Sequence, residues 1–395
     1  MLNRRQFLAA SGSILAPVAR IAAAVKPVRI TGVDLFPIRI PIPKEDEAAG
    51  LMNRYVVCRV QTDAGVRGYS FAGPNPTVLE KVRAALVGTD LFNIEHHLKN
   101  GLLQWEGVEH ALWDAIGRIA NQPVYKLLGG NKSSIKLYLT TVWQGKADQS
   151  DASYDDQAQM ALREKNAGFK GMKIRAWRPN PLDDAEACRV IRSAVGPDFA
   201  IMFDRTAHAP TSVGQKVWDF DTGLRVARAL EKSGAYWLEE PYARDDYDSH
   251  ARLNRQVDIL ITGGEGYLGL EPFHKALLAG AYDIVQPEGV RSGGIFLCRK
   301  VAMLAEAYHV PCVLHGTMGL RLAGWLQASA AIGSEWQELV FIRPPLLPEQ
   351  LWSPGIQVLN TKVMYTIRDG EIQVPELPGL GLDVNEDAIE KFRQS

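Results

Sequence analysis

The chain has 395 residues, 46% hydrophobic and 23% charged, which is ordinary usage for a soluble globular protein of roughly two or three domains. Its 44 lysines and arginines nearly balance 45 aspartates and glutamates. This balance excludes the basic face of a nucleic-acid-binding protein and the polybasic run of a membrane-surface protein. The four cysteines form no disulfide framework, and no two stand at metal-ligand spacing. A soluble enzyme or a large binding domain remains.

Residues 1–24 have the features of a signal peptide: a basic start at Arg4-Arg5, a modest apolar stretch, and small residues at Ala22-Ala23-Ala24. The order Arg-Arg-Gln-Phe-Leu resembles a twin-arginine export signal, which carries folded proteins. The apolar stretch is shorter than the roughly 20 residues that a membrane span needs. We therefore expect a periplasmic protein without a membrane span. The alternative is a disordered N-terminus whose arginine pair is accidental.

Residues 25–130 predict a small α+β domain. Alternating apolar residues over 27–45 and 54–70 predict strands. The polar stretch between them, Lys44 to Met52, predicts a loop that could close over a site. From Leu79 to about Leu128 the spacing of apolar residues becomes helical.

Between residues 131 and 344, short apolar strands alternate with amphipathic segments. Eight strands are expected, near 135–140, 171–176, 199–205, 235–240, 259–265, 282–288, 312–316 and 338–342. A repeat of one strand and one helix about every 25–30 residues favours a parallel (β/α) barrel over an open doubly wound sheet. The tail, 345–395, is rich in proline and glycine and is expected to pack back on the first domain.

Polar residues follow most of these strands, at the ends where barrel enzymes carry their catalytic groups. In chain order they are Lys173 with Arg175, Asp204, Glu239, Glu265, Glu288 and His315. Successive strand-end residues are 23 to 35 positions apart, which is close to one βα unit. All of these side chains are therefore expected around one barrel mouth.

Three carboxylates among them predict a metal site: Asp204, Glu239 and Glu265. Carboxylates at close range raise one another's pKa unless a cation neutralises them. An all-oxygen donor set favours a hard divalent ion, and Mg²⁺ is the ion that we expect. The alternative, three ordinary ion-pair partners on the barrel rim, would require a coincidence on three successive strands.

Two candidate bases also belong to this set. Lys173 and Arg175 alternate along one strand, so both side chains should point toward the barrel centre. His315 lies across the ring, where Glu288 on the neighbouring strand could orient the imidazole and raise its basicity. Either Lys173 or His315 could serve as the general base.

Several segments carry a family resemblance. They are Ala111-Leu112-Trp113-Asp114, Pro123 to Gly130, Gly168-Phe169-Lys170, Trp237 to Pro241, Gly264-Glu265, Gln286-Pro287-Glu288 and, more weakly, Pro378 to Leu382. From about residue 27 to the end, the chain resembles the mandelate racemase / muconate lactonizing enzyme branch of the enolase superfamily. The resemblance implies an α/β fold, a modified (β/α)₇β barrel with an N-terminal α+β capping domain that the C-terminal tail completes.

In that family a Mg²⁺ ion, held at the ends of strands three, four and five, binds a substrate carboxylate. A base removes the adjacent α-proton, and an enediolate forms. The resemblance implies that the metal ligands here are Asp204, Glu239 and Glu265. It further implies a catalytic dyad of His315 and Glu288, and a hydrogen bond from Glu338 to the substrate carboxylate.

Two residues depart from the family pattern. Arg175 stands where the branch usually has the second lysine of Lys-x-Lys, and Glu288 stands where it commonly has aspartate. Arginine is a poor base, but its planar guanidinium is well suited to donating hydrogen bonds to a carboxylate or hydroxyl oxygen. Racemisation needs a base on each face of the carbon, so Arg175 favours one-base chemistry. We expect dehydration of a sugar acid to a 2-keto-3-deoxy acid. A carboxylate racemase or epimerase, or a barrel that binds a sugar acid without turnover, are the alternatives.

The remaining candidates lie near the same mouth. His208, Trp177 and Arg178 are candidates for substrate contacts, with a purely structural role as the alternative. The turn Ser292-Gly293-Gly294 could hold a phosphate, although a glycine pair before a packed helix is more often structural. The expected partners are a small carboxylate substrate and further copies of the chain in a homo-oligomer, with no nucleic acid.

Overall fold

The computed structural model of the chain describes residues 26–105, 107–142, 152–206 and 217–394. The export signal predicted over residues 1–24 lies outside these ranges and stays a prediction. None of the helices in the described ranges combines the length and the apolar composition that crossing a membrane requires.

The capping domain begins with an antiparallel sheet of three strands, β1 (Ile30–Arg39), β2 (Arg54–Thr62) and β3 (Arg67–Ser70). Its helices are α1 (Lys44–Ala49), α2 (Leu79–Leu86), α3 (Ile94–Lys99), α4 (Val108–Ala120) and α5 (Val124–Leu127). Gly68 lets β3 pack on the backbone of α4, because a side chain there would overlap the Ala111 carbonyl. The predicted α+β organisation is found, but the helical stretch from Leu79 to Leu128 is divided into four helices.

Residues 44–52, predicted to be a loop, begin with helix α1 instead. Three acidic residues in its first turn suit the positive N-terminal end of the helix dipole, and Gly50 takes the left-handed conformation that ends the helix. The segment lies beside the barrel mouth, with Met52 next to Gly319 and Gly50 against Arg343. The predicted position is therefore correct, and the predicted conformation is wrong.

The barrel sheet is parallel and lies between residues 134 and 342. Its strands are β4 (Ser134–Thr141), β5 (Gly171–Arg175), β6 (Ala200–Asp204), β7 (Trp237–Glu239), β8 (Leu260–Gly263), β9 (Ile284–Val285) and β10 (Trp336–Ile342). Its helices are α6 (Tyr154–Asn166), α7 (Asp183–Val195), α8 (Phe220–Lys232), α9 (Tyr247–Asn254), α10 (Glu271–Ala279), α11 (Ile295–Glu306) and α12 (Leu322–Ile332). Strands β4 to β9 are neighbours in chain order, and β10 pairs with β4. The strand ends are level, since Arg175 lies opposite Asp204 and Asp204 opposite Glu239.

Residues 312–316, predicted to be the seventh barrel strand, form single parallel bridges rather than a continuous ladder. The bridges in this region join Cys312 to Val285, His315 to Glu288 and Thr317 to Leu339. Pro311 has no N–H to donate, which removes one ladder hydrogen bond at the start of the segment. The predicted place of the strand is correct, but the main chain around His315 has less support than a regular strand gives.

The C-terminal tail contacts both domains. It contains α13 (Pro348–Trp352), the hairpin β11 (Ile367–Arg368) and β12 (Glu371–Gln373), and α14 (Glu386–Phe392). Strand β12 pairs antiparallel with β4, which adds the hairpin to the barrel sheet. The Leu380 N–H donates to Asp114 Oδ1 at 2.8 Å, and Arg59 pairs with Glu390 at 2.6 Å. The tail packs on the capping domain, as expected. Its hairpin on the barrel sheet was not predicted. The domain boundaries stay predictions.

Candidate active site

Three carboxylates meet at the carboxyl ends of adjacent strands. Asp204 ends β6, Glu239 ends β7 and Glu265 follows β8. One oxygen from each of the three carboxylates lies within 4.8 Å of the other two, close enough for a single ion. Among the described residues, buried Glu239 Oε1 and Glu265 Oε2 have no hydrogen-bond partner. Unpaired carboxylate oxygens this deeply buried are costly unless a cation pairs with them, so the donor set fits a hard divalent ion.

The electrostatics of the three acids support the same conclusion. Burial and the nearby Asp204 charge raise the pKa of Glu239 well above its usual value. Burial opposes ionisation of Asp204 too, but Arg175 and Lys173 lower its pKa to about 2. The pKa of Glu265 is lowered because His315 and Arg175 outweigh the effect of burial. A bound cation would relieve the repulsion that Glu239 experiences.

Lys173 lies at the centre of this negative cluster, with no exposed surface. Its Nζ is 2.8 Å from both Glu239 Oε2 and Glu338 Oε1, and 3.4 Å from Asp204 Oδ2. Burial would lower the pKa of Lys173, but the surrounding carboxylates raise it well above its usual value. The side chain is a fixed ammonium whose hydrogens are directed at carboxylates.

Glu338 lies beneath the site rather than at its open side. Its Oε1 accepts from Thr140 Oγ1 and pairs with Lys173, and its Oε2 accepts the Gly316 N–H at 2.6 Å. Burial opposes ionisation, yet Lys173 lowers the pKa of Glu338 to about 2. An ionised carboxylate has no hydrogen to donate to a substrate carboxylate. Glu338 therefore holds Lys173, and the substrate contact that the resemblance implies stays a prediction.

Arg175 contacts the metal site directly. Its Nη1 donates to Asp204 Oδ2, and its guanidinium lies 5.3 Å from the centre of the Trp177 ring. The Trp177 indole donates to the Arg205 carbonyl at 2.9 Å. Arg178, in contrast, lies 4.6 Å over the Tyr154 ring and donates to the Ala152 carbonyl, so it supports the fold. The candidate His208 lies outside the described residues.

His315 and Glu288 are neighbours, but their side chains do not form the expected hydrogen bond within the described structure. His315 Nε2 lies 3.4 Å from Glu265 Oε2, and its buried Nδ1 has no hydrogen-bond partner in the part of the chain that the structure describes. Glu288 Oε2 instead accepts the Arg291 N–H at 3.2 Å. Burial raises the pKa of Glu288. The structure brings the two residues together through their main chains and leaves the imidazole next to the metal site.

One pair beside the metal site was not predicted from the sequence. Arg244 forms a forked ion pair with Glu240, with Nε–Oε1 at 2.9 Å and Nη2–Oε2 at 2.8 Å. Arg244 Nη2 also lies 3.8 Å from Glu265 Oε1. The doubled acid Glu239-Glu240 was the available signal, because it places a second carboxylate directly behind a metal ligand.

Two family models match most of the chain. The model for the mandelate racemase / muconate lactonizing enzyme N-terminal domain matches residues 37–129. The model described as enolase C-terminal domain-like matches residues 155–388, which carry the three-carboxylate site. The chain belongs to the enolase superfamily.

Relatives in this superfamily differ in the reactions that their names describe. The chain is 30% identical to arabinonate dehydratase of Saccharolobus solfataricus over 288 residues, 73% of this chain and 71% of the relative. It is 28% identical to D-galactarolactone cycloisomerase of Agrobacterium fabrum, over 93% of this chain and 99% of the relative. The structure of D-glucarate dehydratase from Agrobacterium tumefaciens, complexed with magnesium, matches with a TM-score of 0.78 at 28% identity, covering 94% of this chain and 100% of that one.

These matches confirm the predicted superfamily, and with it the capping domain and modified barrel. They support an enzyme with enolase-type chemistry. The carboxylate site, able to hold a divalent ion, lies where the enolase superfamily resemblance predicts it.

Proposed function

We propose that this enolase-superfamily protein is a Mg²⁺-dependent sugar-acid dehydratase, a hydro-lyase that forms a 2-keto-3-deoxy acid. One observation carries the proposal. The ammonium of Lys173 is buried among three carboxylates, and Arg175 replaces the usual second lysine. This leaves His315, whose Nε2 lies 3.4 Å from Glu265 Oε2 beside the metal site, as the remaining candidate base in the described mouth.

Asp204, Glu239 and Glu265 would hold the ion, which supplies a Lewis acid for the substrate carboxylate when bound. Arg175, beside Asp204, presents a guanidinium fork suited to an oxygen of the substrate. Lys173 keeps the charge of the acid cluster balanced beneath the substrate.

His315 would perform the proton transfers. Its imidazole takes the proton from the carbon next to the carboxylate, and the electron pair of that C–H bond is delocalised into the carboxylate. As the C–O bond at the β-carbon breaks, this pair forms the double bond between the α- and β-carbons, and His315 returns the proton to the leaving hydroxyl, which departs as water. The resulting enol becomes the 2-keto acid. In the alternative mechanism, His315 acts only as the general acid that protonates the leaving hydroxyl.

A cycloisomerase is the second candidate. The relative named D-galactarolactone cycloisomerase is matched over nearly its whole length. Loss of a ring oxygen from the β-carbon would need the same single base and the same metal site. Two-base racemisation is disfavoured by Arg175, because arginine stays protonated. Periplasmic location and a homo-oligomeric state also remain proposals.

The test is a screen of purified protein with Mg²⁺ in D₂O against sugar acids and their lactones, followed by NMR. We expect a 2-keto-3-deoxy product that disappears in His315→Asn. The matched control is His309→Asn, because His309 is exposed and its φ of 57° suits asparagine. Ring opening without water loss would favour the cycloisomerase, and deuterium exchange with inversion would favour the epimerase. Mg²⁺ binding without any turnover would indicate a binding protein.

A further inference from the structure

Helix α4 of the capping domain contacts the segment that follows Glu288, and its His110 packs against Trp325, which contacts His315. We infer that His110, on this helix, and Trp325, on α12, are positioning residues that hold the main chain at Gly289 and His315. The inference rests on the proposed role of His315. One of its readouts below therefore does not require turnover.

The first contact fixes the helix that follows Glu288. The buried carboxylate of Glu109 accepts the N–H groups of Ile295 at 2.8 Å and Phe296 at 2.9 Å, in the first turn of α11. A side chain at Gly294 would overlap Glu109 Oε2. The anion position at this turn is therefore filled by a carboxylate of the chain, and the phosphate site considered for Ser292-Gly293-Gly294 is not available.

The second contact fixes the residue after Glu288. His110 Nε2 lies 2.8 Å from the carbonyl oxygen of Gly289, and since a carbonyl only accepts, Nε2 carries the hydrogen. Burial lowers the pKa of His110 to about 4, so the ring is neutral at neutral pH. Gly324 on α12 has no side chain to separate the helix from the ring. His110 is thus wedged between α12 and the chain at Gly289.

The third contact fixes His315 itself. The indole of Trp325 donates from Nε1 to the His315 carbonyl at 2.9 Å. The same indole packs edge-on against the His110 ring, with ring centroids 5.2 Å apart at 80°. A Cβ at Gly289 would lie 2.7 Å from Trp325 Cε2, so the indole also lies directly against this glycine. His110 and Trp325 together hold Gly289 and His315 from one side.

This support is needed because the local main chain is irregular. Glu288 and His315 are joined by a single bridge, and their side chains share no hydrogen bond within the described residues. The distance from His315 to a bound substrate therefore depends on the main-chain contacts of the two segments. A displacement of about 1 Å can lower a proton-transfer rate by about 100-fold.

The experiment compares three variants with one control. Trp325→Phe keeps an aromatic ring and removes the donor to His315, and His110→Leu removes the donor to Gly289. His110→Gln retains an N–H group able to reach Gly289 and should restore function. The control, His97→Leu, removes a buried capping-domain histidine whose Nε2 lies 2.9 Å from the carbonyl of Asp90, within the same domain.

With the Mg²⁺ enzyme and its sugar acid, we expect Trp325→Phe and His110→Leu to lower kcat by about tenfold or more. KM and Mg²⁺ affinity should stay within about twofold, because the metal ligands lie on other strands. His110→Gln should recover most of kcat, and His97→Leu should retain it.

The second readout is the ¹H–¹⁵N spectrum of the histidine rings, in which His315→Asn identifies the His315 signal. We expect that signal to shift or broaden in Trp325→Phe and His110→Leu and to stay unchanged in His97→Leu. The inference is overturned if both positioning variants leave kcat and the His315 signal as in the wild type. It is equally overturned if His97→Leu causes the same losses. A wild-type protein that turns over no sugar acid would instead contradict the proposed function. The His315 signal in the variants would still test whether His110 and Trp325 position His315.

Discussion

The Nζ of Lys173 lies 2.8 Å from Glu338 Oε1, and neither side chain has any exposed surface. The same ammonium contacts Glu239 and Asp204, so one lysine partly neutralises three carboxylates before any metal binds. Lys173 and a bound ion would therefore both neutralise one buried cluster of negative charge.

Replacing Lys173 by methionine should make the protein depend on its metal. Removing one partner of a buried ion pair costs about 3–5 kcal/mol in the free energy of unfolding, because the other charges are left unpaired. Mg²⁺ on the three ligands should offset a large part of this loss, since it restores positive charge to the cluster. Urea unfolding in EDTA and in Mg²⁺ measures both values.

The matched control for this prediction is Lys136→Met, which breaks an exposed ion pair with Glu335. Its loss should stay below about 1 kcal/mol in both media. An equal loss for Lys173→Met with and without Mg²⁺ would contradict a shared role of lysine and metal.

The ring of strand-end residues could be predicted because its determinants are periodic. Each of Asp204, Glu239 and Glu265 follows a short apolar strand, and parallel strands end on one side of a barrel. Chain spacing alone therefore places these carboxylates together. Lys173 could be assigned to the same centre from its place in the strand.

What could not be predicted depends on side-chain partners far apart in sequence. Glu338 is held by Thr140 and Gly316, and only the folded barrel brings these together. The sequence placed Glu288 beside His315 but could not show that their side chains remain apart. Residues 44–52 were misassigned because their polarity is also that of an exposed helix.

Replacing Arg244 by lysine should weaken metal binding. Lysine keeps the positive charge near Glu265 but cannot form both hydrogen bonds to Glu240. The Glu240 carboxylate, which accepts the Gly264 N–H at 3.0 Å next to Glu265, is then held less firmly. Loss of such supporting contacts lowers metal affinity by about tenfold or more. Titration calorimetry with Mg²⁺ measures the affinity, and Arg252→Lys on helix α9, with an exposed arginine, is the control. Unchanged affinity in Arg244→Lys would show that Glu265 does not need this support.

His110 should make the protein sensitive to acid. Burial lowers its pKa to about 4 in the folded protein, whereas an unfolded chain has a histidine pKa of about 6.5. As the pH falls between these values, the unfolded chain binds a proton that the folded protein does not. The wild type should therefore lose up to about 3 kcal/mol of unfolding free energy over this interval through His110.

Glutamine has no such titration, so His110→Gln should lose less stability on acidification than the wild type. Urea unfolding at neutral pH and near pH 4.5 measures the difference, and His309→Asn, at an exposed position, should follow the wild type. Parallel losses in His110→Gln and the wild type would show that another group causes the acid sensitivity.

Arg175→Lys tests whether one residue restricts the site to one-base chemistry. Arg175 donates to Asp204 at the edge of the metal site and cannot lose its proton at working pH. A lysine there recreates the Lys-x-Lys pattern and adds a base across the mouth from His315. Dehydration should fall by about 100-fold because the fork is lost, while slow deuterium exchange at the α-carbon appears with the opposite stereochemistry.

The matched comparison is Arg175→Gln, which loses the same fork and gains no base. NMR of the sugar acid in D₂O should show exchange with inversion in Arg175→Lys and none in Arg175→Gln. Exchange in both variants would assign the second proton transfer to solvent. No exchange in either would show that the nearby carboxylates keep a lysine at position 175 protonated as well. The negative charge of the cluster, rather than the identity of residue 175, would then decide which side of the mouth carries a base.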